Sequence, residues 1–237
     1  FWLISMIFLW QVRACNIFRP CHPYTREKVL GGIRQVMTAR KDIVTINAVD
    51  RVVIVGGGTA GWMTAAAMSR FFDNGRRKIT LVESDAIGTV GVGEATIPPI
   101  RNFNGMLDIP ENEFLRATHG TFKLGIEFVD WGRKGDRYIH PFGNFGRDLH
   151  GIPFHQLWLR ENARGGGADI SDYSMSSVAA LMGRFGRPSP DARSPVSEMF
   201  YAFHFDASLY AAYLRQLAER QGTIRREGRI VKAHRDG

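Results

Sequence analysis

Apolar and polar positions change period several times along this chain, and each change marks an element. Residues 52–55, Val-Val-Ile-Val, form a short unbroken apolar, β-branched run that predicts a strand. Gly56-Gly57-Gly58-Thr59-Ala60-Gly61 follows at once, and then an Ala- and Met-rich run over residues 61–72 that predicts a helix. A polar turn at Asn74-Gly75-Arg76-Arg77 leads into a second strand over 78–83. The unit has about the 30-residue length of a βαβ motif, so it predicts a parallel sheet with a right-handed crossover.

Further along, Gly88, Gly91, Gly93 and the pair Pro98-Pro99 exclude a regular helix or central strand and predict an irregular strap over 88–99. Short helices are expected over 100–107 and 111–119. Residues 121–131 alternate, with Phe122, Leu124, Ile126 and Phe128 on one side, and predict a single strand. Residues 132–170, rich in Gly, Arg and aromatics, predict long loops. Asp206 is placed to cap a helix over 207–221, with Leu209, Tyr213, Leu214 and Leu217 as its apolar face. The alternation over 223–234 predicts an edge strand.

The glycine pattern carries the first chemistry. Gly56 permits a tight turn off the strand, Gly58 lets a pyrophosphate approach the backbone, and Gly61 lets the helix lie close to the strand. The helix start at Thr59 and Ala60 offers amides to phosphate. Glu83 ends the second strand about 20 residues on, where an acidic side chain takes ribose hydroxyls. Nicotinamide and flavin dinucleotides both use this geometry, and these residues alone do not separate them.

The 237 residues carry a net charge of +8, but the basic residues are scattered among acidic ones. The excess suits an anionic cofactor and a solvated surface, so no nucleic acid is expected as a partner. Cys15 and Cys21 are not spaced as CxxC, the histidines form no HxxxH or HExxH pattern, and no metal site is expected. The apolar start FWLISMIFLW is far short of the ~20 residues that span a membrane, and it lacks the flanks of a signal peptide. No membrane partner is expected, and the location is expected to be cytoplasmic. Residues 1–36 are expected to be a poorly ordered or non-native extension, with Met37 a plausible native start. The domain proper is expected over 37–237.

Four motifs narrow the cofactor. GGGTAGWMTA at 56–65, GVGEATIP at 91–98, TFK at 121–123 and YAFHFDA at 201–207 resemble the flavin-dependent tryptophan halogenases, in their order and near their spacing. The resemblance runs from about residue 49 to the end and covers roughly the N-terminal half of such an enzyme. It implies an α/β Rossmann-like FAD-binding fold of the flavin monooxygenase type, truncated at the C-terminus. The WxWxIP motif and the halogenation-site Glu of the family would lie beyond the last residue.

The resemblance further implies that reduced FAD, supplied by a separate flavin reductase, uses O2 to oxidise chloride or bromide. The resulting hypohalous acid reaches a lysine beside tryptophan, indole or another electron-rich aromatic. By position that lysine is Lys123. The cofactor-binding residues become Gly56, Gly58, Thr59, Ala60, Gly61, Glu83 and the strap residues Gly91, Val92, Gly93, Glu94, Ala95 and Thr96. Residues 132–200 become a substrate-side insertion. Trp62 is expected to pack, His204 to pack or face the cofactor, and a homodimer stays open. The alternatives are an FAD-dependent aromatic hydroxylase and a non-catalytic dinucleotide-binding fragment.

Overall fold

Strands β1 (Arg51–Val55), β2 (Lys78–Glu83) and β8 (Ile224–Glu227) form a parallel sheet in the order β1-β2-β8. The computed structural model describes residues 49–72, 77–87 and 93–234. The expected extension over 1–36, with Cys15, Cys21 and the native start at Met37, lies outside these residues. So do the turn residues 74–76 and the strap residues Gly91 and Val92.

The β-branched run of β1 and Ile79 and Leu81 of β2 suit a sheet packed beneath helices. Helix α1 (Thr59–Phe72) packs on β1 and β2, and α6 (Ala207–Arg220) lies against α1. Their contact is made of small side chains. Ala65, Ala66 and Ser69 on α1 and Ala207, Ala211 and Ala218 on α6 are buried, with Trp62, Tyr210 and Leu214 as the large members. The expected apolar face of α6 is therefore rotated. Of Leu209, Tyr213, Leu214 and Leu217, only Leu214 is fully buried. Close approach to an Ala-rich partner selects the alanine stripe, and the leucines move to its margin. Asp206 caps α6 as expected, accepting hydrogen bonds from Ser208 N (2.8 Å) and Leu209 N (3.0 Å).

The C-terminal strand is shorter than the alternation over 223–234 predicts. Its partner β2 ends at Glu83, and Gly228 N to Glu83 O at 2.8 Å is the last bond of the ladder. Beyond it the described residues offer no strand to pair with.

A second sheet has the order β3-β7-β4 and is antiparallel throughout: β3 (Gly93–Ala95), β4 (Thr121–Lys123) and β7 (Ala202–Asp206). One face of β7 presents Phe203 and Phe205 to the core. Phe114, from helix α3 (Glu111–Ala117), lies with its ring 5.0 Å from Phe203, 5.3 Å from Phe205 and 5.3 Å from Tyr210. Helix α2 (Pro99–Met106) links the strap to this core.

Three further expectations are corrected. The strap is not irregular throughout, because Gly93–Ala95 pairs with β7. Residues 121–131 are not one strand. They split at Leu124 into β4 and β5 (Gly125–Val129), and β5 pairs with β6 (Arg137–Pro141) in a separate hairpin. Gly125 makes the split: a Cβ there would meet His140 O at 2.6 Å. Residues 132–170 hold β6 and helix α4 (Phe154–Ala163) as well as loops. No residue of α4 is fully buried, so its sequence carries no core stripe to read. Helix α5 (Met175–Leu181) completes the described α-helices, capped by Ser174.

Candidate active site

The first half of the site is the loop between β1 and α1. Gly56 has φ of +104°, a backbone that side chains resist, and its N–H bonds Val82 O at 2.9 Å. A Cβ at Gly61 would sit 1.9 Å from Gly56 O, so α1 rests directly on the turn. Gly58 is different: nothing lies within 4 Å of a Cβ built there. That open space, with Ala60 also exposed, is where an anion can approach. The first amide of α1 bonded within the helix is Trp62 N, to Gly58 O at 3.1 Å. The amides before it have no intrahelical acceptor and are suited to a phosphate. Thr59 turns its hydroxyl to Ala207 O at 3.4 Å and ties the loop to the start of α6.

Glu83 is folded back over this loop. A Cβ at Gly57 would lie 1.4 Å from Glu83 Oε2, so the second glycine makes room for the acid. The carboxylate accepts from Arg225 Nε at 2.6 Å and Trp62 Nε1 at 3.3 Å. Trp62 packs as expected, 1% exposed, and also orients Glu83. Gly57 and Arg225 were not legible as site residues. Arg225 is 142 positions from Glu83, and only the β2–β8 pairing brings them together.

The second half is built on β7. Its register sets Ala95 of β3 opposite His204, and His204 opposite Thr121 of β4, with Lys123 opposite Ala202. Residues directly opposite, and two apart along a strand, share a face. His204, Thr121 and Lys123 therefore project from the side away from the phenylalanine core.

Lys123 is 8% exposed, which a solvated strand lysine would not be. Its Nζ donates to Thr96 O at 3.0 Å and lies 5.4 Å from the centre of the Phe142 ring. Burial holds its pKa below the ordinary lysine value. His204 is exposed rather than packed. Partial burial, and then the positive charge of Lys123, lower its pKa.

Of the strap residues, Gly93 and Ala95 are exposed, and Glu94 and Thr96 are half-buried. Thr96 touches Lys123, a contact the motifs did not reveal. Glu127 is bonded across the hairpin to Arg137 Nε at 2.5 Å and takes no part in the lysine's contacts. Asp206 spends its carboxylate on the helix cap, so it forms no dyad with His204. Among the described residues, no group of three or more His, Cys, Asp or Glu is arranged to hold a metal. No described helix is long and apolar enough to cross a membrane.

The tryptophan halogenase family model matches residues 51–237. Tryptophan 6-halogenase SttH of Streptomyces toxytricini is 38% identical over 195 residues, covering 73% of this chain and 36% of the relative. Tryptophan 7-halogenase RebH of Lentzea aerocolonigenes is 34% identical over 203 residues, covering 79% of this chain and 38% of the relative. Among solved structures, BrvH, a flavin-dependent halogenase from Brevundimonas sp. BAL3, matches with a TM-score of 0.71 and 47% identity, over 77% of this chain and 36% of that one. The chain thus spans 36% to 38% of the length of these relatives. The fold they share with it is α/β, and the parallel sheet with its glycine turn is the Rossmann-like part of it. By the extent of the family match and the agreement of the fold, the chain belongs to the tryptophan halogenase family.

Proposed function

We propose that the protein carrying this chain is a flavin-dependent halogenase of tryptophan, indole or another electron-rich aromatic ring. The observation that carries the reading is Lys123, a buried amine held by the strap beside an aromatic ring. The glycine loop fits a dinucleotide: Gly58 is open, Gly56 and Gly61 tolerate no side chain, and the amides ahead of Trp62 have no helical acceptor. In this reading Gly56, Gly58, Thr59, Ala60 and Gly61 hold the FAD pyrophosphate and Glu83 its ribose diol. Gly91, Val92, Gly93, Glu94, Ala95 and Thr96 form the strap along the cofactor. Residues 37–237 are the FAD-binding part, with 132–200 on the substrate side.

Bound FAD, reduced by a separate flavin reductase, supplies with O2 the oxidising power that turns halide into hypohalous acid. Lys123 acts on that acid. As an ammonium it donates a hydrogen bond to the oxygen and leaves the halogen more electrophilic. One N–H is spent on Thr96 O, so the others remain to hold the oxidant. Burial also brings the neutral amine closer to reach at working pH, and that amine can carry the halogen itself. The Phe142 ring, half-buried, gives this space an apolar wall. SttH and RebH are named for different positions on tryptophan, so the position attacked is left to the substrate-side segment.

The test is expression of the full open reading frame that contains this chain, with FAD, a flavin reductase, NADH, and bromide or chloride. Indole and tryptophan head a panel of aromatic acceptors, and mass spectrometry reads the products. A halogenated product is expected. Bound FAD with hydroxylated products and no halogenated ones would overturn the reading in favour of an aromatic hydroxylase.

A further inference from the structure

We propose that Thr96 is a positioning residue for Lys123: its hydroxyl stands in for its own carbonyl in the ladder with β7, which leaves that carbonyl free to hold the lysine. The inference deepens the halogenase reading and rests on it for its catalytic meaning.

The argument starts from the register. Gly93, Glu94 and Ala95 face Asp206, Phe205 and His204, so the next residue, Thr96, faces Phe203. In an antiparallel ladder such a pair exchanges two backbone bonds, each N–H to the other's carbonyl. Half of that exchange is present: Thr96 N donates to Phe203 O at 3.0 Å. The other half is replaced. Phe203 N donates to Thr96 Oγ1 at 3.1 Å, and Oγ1 in turn donates to Phe203 O at 2.8 Å. A hydroxyl can do both at once, as donor and acceptor. The carbonyl that the ladder would have used is turned to Lys123 Nζ instead, at 3.0 Å.

The consequence is a direct tether from the strap to the lysine. Ile97, Pro98 and Pro99 follow at once, and prolines have no N–H to extend the ladder, so Thr96 is the last residue at which the strap can bond to β7. The groups on the polar face around the lysine are Thr121 of its own strand and His204 and Asp206 of β7, and the Asp206 carboxylate accepts from Ser208 N and Leu209 N in the cap of α6. Glu94 is one position off His204's partner Ala95 and points to the other face. Among the described residues no carboxylate pairs with Lys123, and Thr96 O is its bonded acceptor.

Thr96→Val keeps the branched shape and the strand preference but removes the hydroxyl. Phe203 N then recovers the ordinary carbonyl acceptor, the ladder closes, and Lys123 loses its tether. Thr96→Ser keeps the hydroxyl and the tether.

The test uses the full open reading frame without added cofactor. Lysines are acetylated with trace acetic anhydride across pH 7 to 11, and the labelling midpoint of each is read by peptide mass spectrometry. Lys78 and Lys134, both exposed, report whether each variant is labelled as usual, and its circular dichroism melt reports that it is folded. In Thr96→Val the Lys123 midpoint is expected to rise toward that of the exposed lysines, because burial is what lowers it and an untethered side chain reaches water. In Thr96→Ser it should stay at the wild-type value. An unmoved midpoint in Thr96→Val, or an equal shift in Thr96→Ser, overturns the proposal. A second measurement reads halogenated product per flavin oxidised. It is expected to fall in Thr96→Val, by up to about a hundredfold if the amine is displaced by an ångström, and counting product per flavin oxidised separates this loss from any change in flavin turnover itself. If wild type makes no halogenated product yet the midpoint still shifts, the halogenase reading fails and the positioning of Lys123 by Thr96 stands.

Discussion

Two alanine substitutions three residues apart in the glycine loop should have opposite consequences. At Gly61 an added methyl meets Gly56 O at 1.9 Å, and Leu81 lies at 3.7 Å behind it. The obstacle is backbone in a turn already at positive φ, so α1 must move off the sheet. Overpacking of this kind costs about 1–3 kcal/mol. For a chain of this size each kcal/mol lowers Tm by roughly 2–4 °C, so Gly61→Ala should melt several degrees below wild type. At Gly58 an added methyl meets nothing within 4 Å, and stability should change by no more than about 0.5 kcal/mol. That same methyl occupies the approach a pyrophosphate needs. FAD affinity should therefore fall by at least about tenfold, which corresponds to 1.4 kcal/mol. Circular dichroism melts of the cofactor-free protein read the first quantity, and quenching of flavin fluorescence on titration reads the second. If Gly58→Ala bound FAD as wild type does, the loop would not be the phosphate site. Equal destabilisation by the two substitutions would refute the geometric argument altogether.

Further outcomes are expected elsewhere. Lys123→Ala should abolish halogenation while flavin oxidation continues, measured as product against oxygen consumed; normal product would remove Lys123 from the chemistry. The lowered pKa of Lys123 also has a sign in stability. Between its folded value and the ordinary 10.5 the unfolded chain binds more protons, so stability rises with pH in that window. Wild type should gain on Lys123→Met in urea titrations as the pH climbs toward 10.5, and a flat difference would contradict the assigned burial effect. Arg225→Gln frees Glu83 and should weaken FAD binding roughly tenfold, about the worth of one hydrogen bond to a charged group, as read by the same flavin titration. Asp206→Ala removes the cap of α6 and should cost about 1 kcal/mol, seen as a lower midpoint in urea.

The βαβ unit was legible because each of its parts has a local cause: an apolar run, a glycine turn, an acid at the strand end. The cap at Asp206 was legible for the same reason. What escaped depends on partners distant in sequence. The buried face of α6 was set by the alanines of α1, and the ladder ends at Gly228 because β2 ends at Glu83. The break at Leu124 needed the approach of His140 to Gly125. In the site, Lys123 was read from its motif, but its Thr96 acceptor and its Phe142 neighbour come from residues just past the ends of β3 and β6. Gly57 read as one glycine among several until the Glu83 carboxylate was found in the space its side chain would fill.

Strand β7 has a consequence for altering this protein. It lies between the strap and the lysine strand, and its alternate residues serve opposite ends: Phe203 and Phe205 the core, His204 the polar face. A slip of one residue would exchange those two sets, pulling the strap and the lysine out of place in the same step that exposes the phenylalanines. Under the proposed function, adaptation to new acceptors is therefore closed off along β7. If the segment 132–200 faces the substrate as proposed, the room for it lies at the non-glycine positions of 143–153 and in α4, where no described side chain is fully buried and a substitution disturbs no ladder that the lysine depends on.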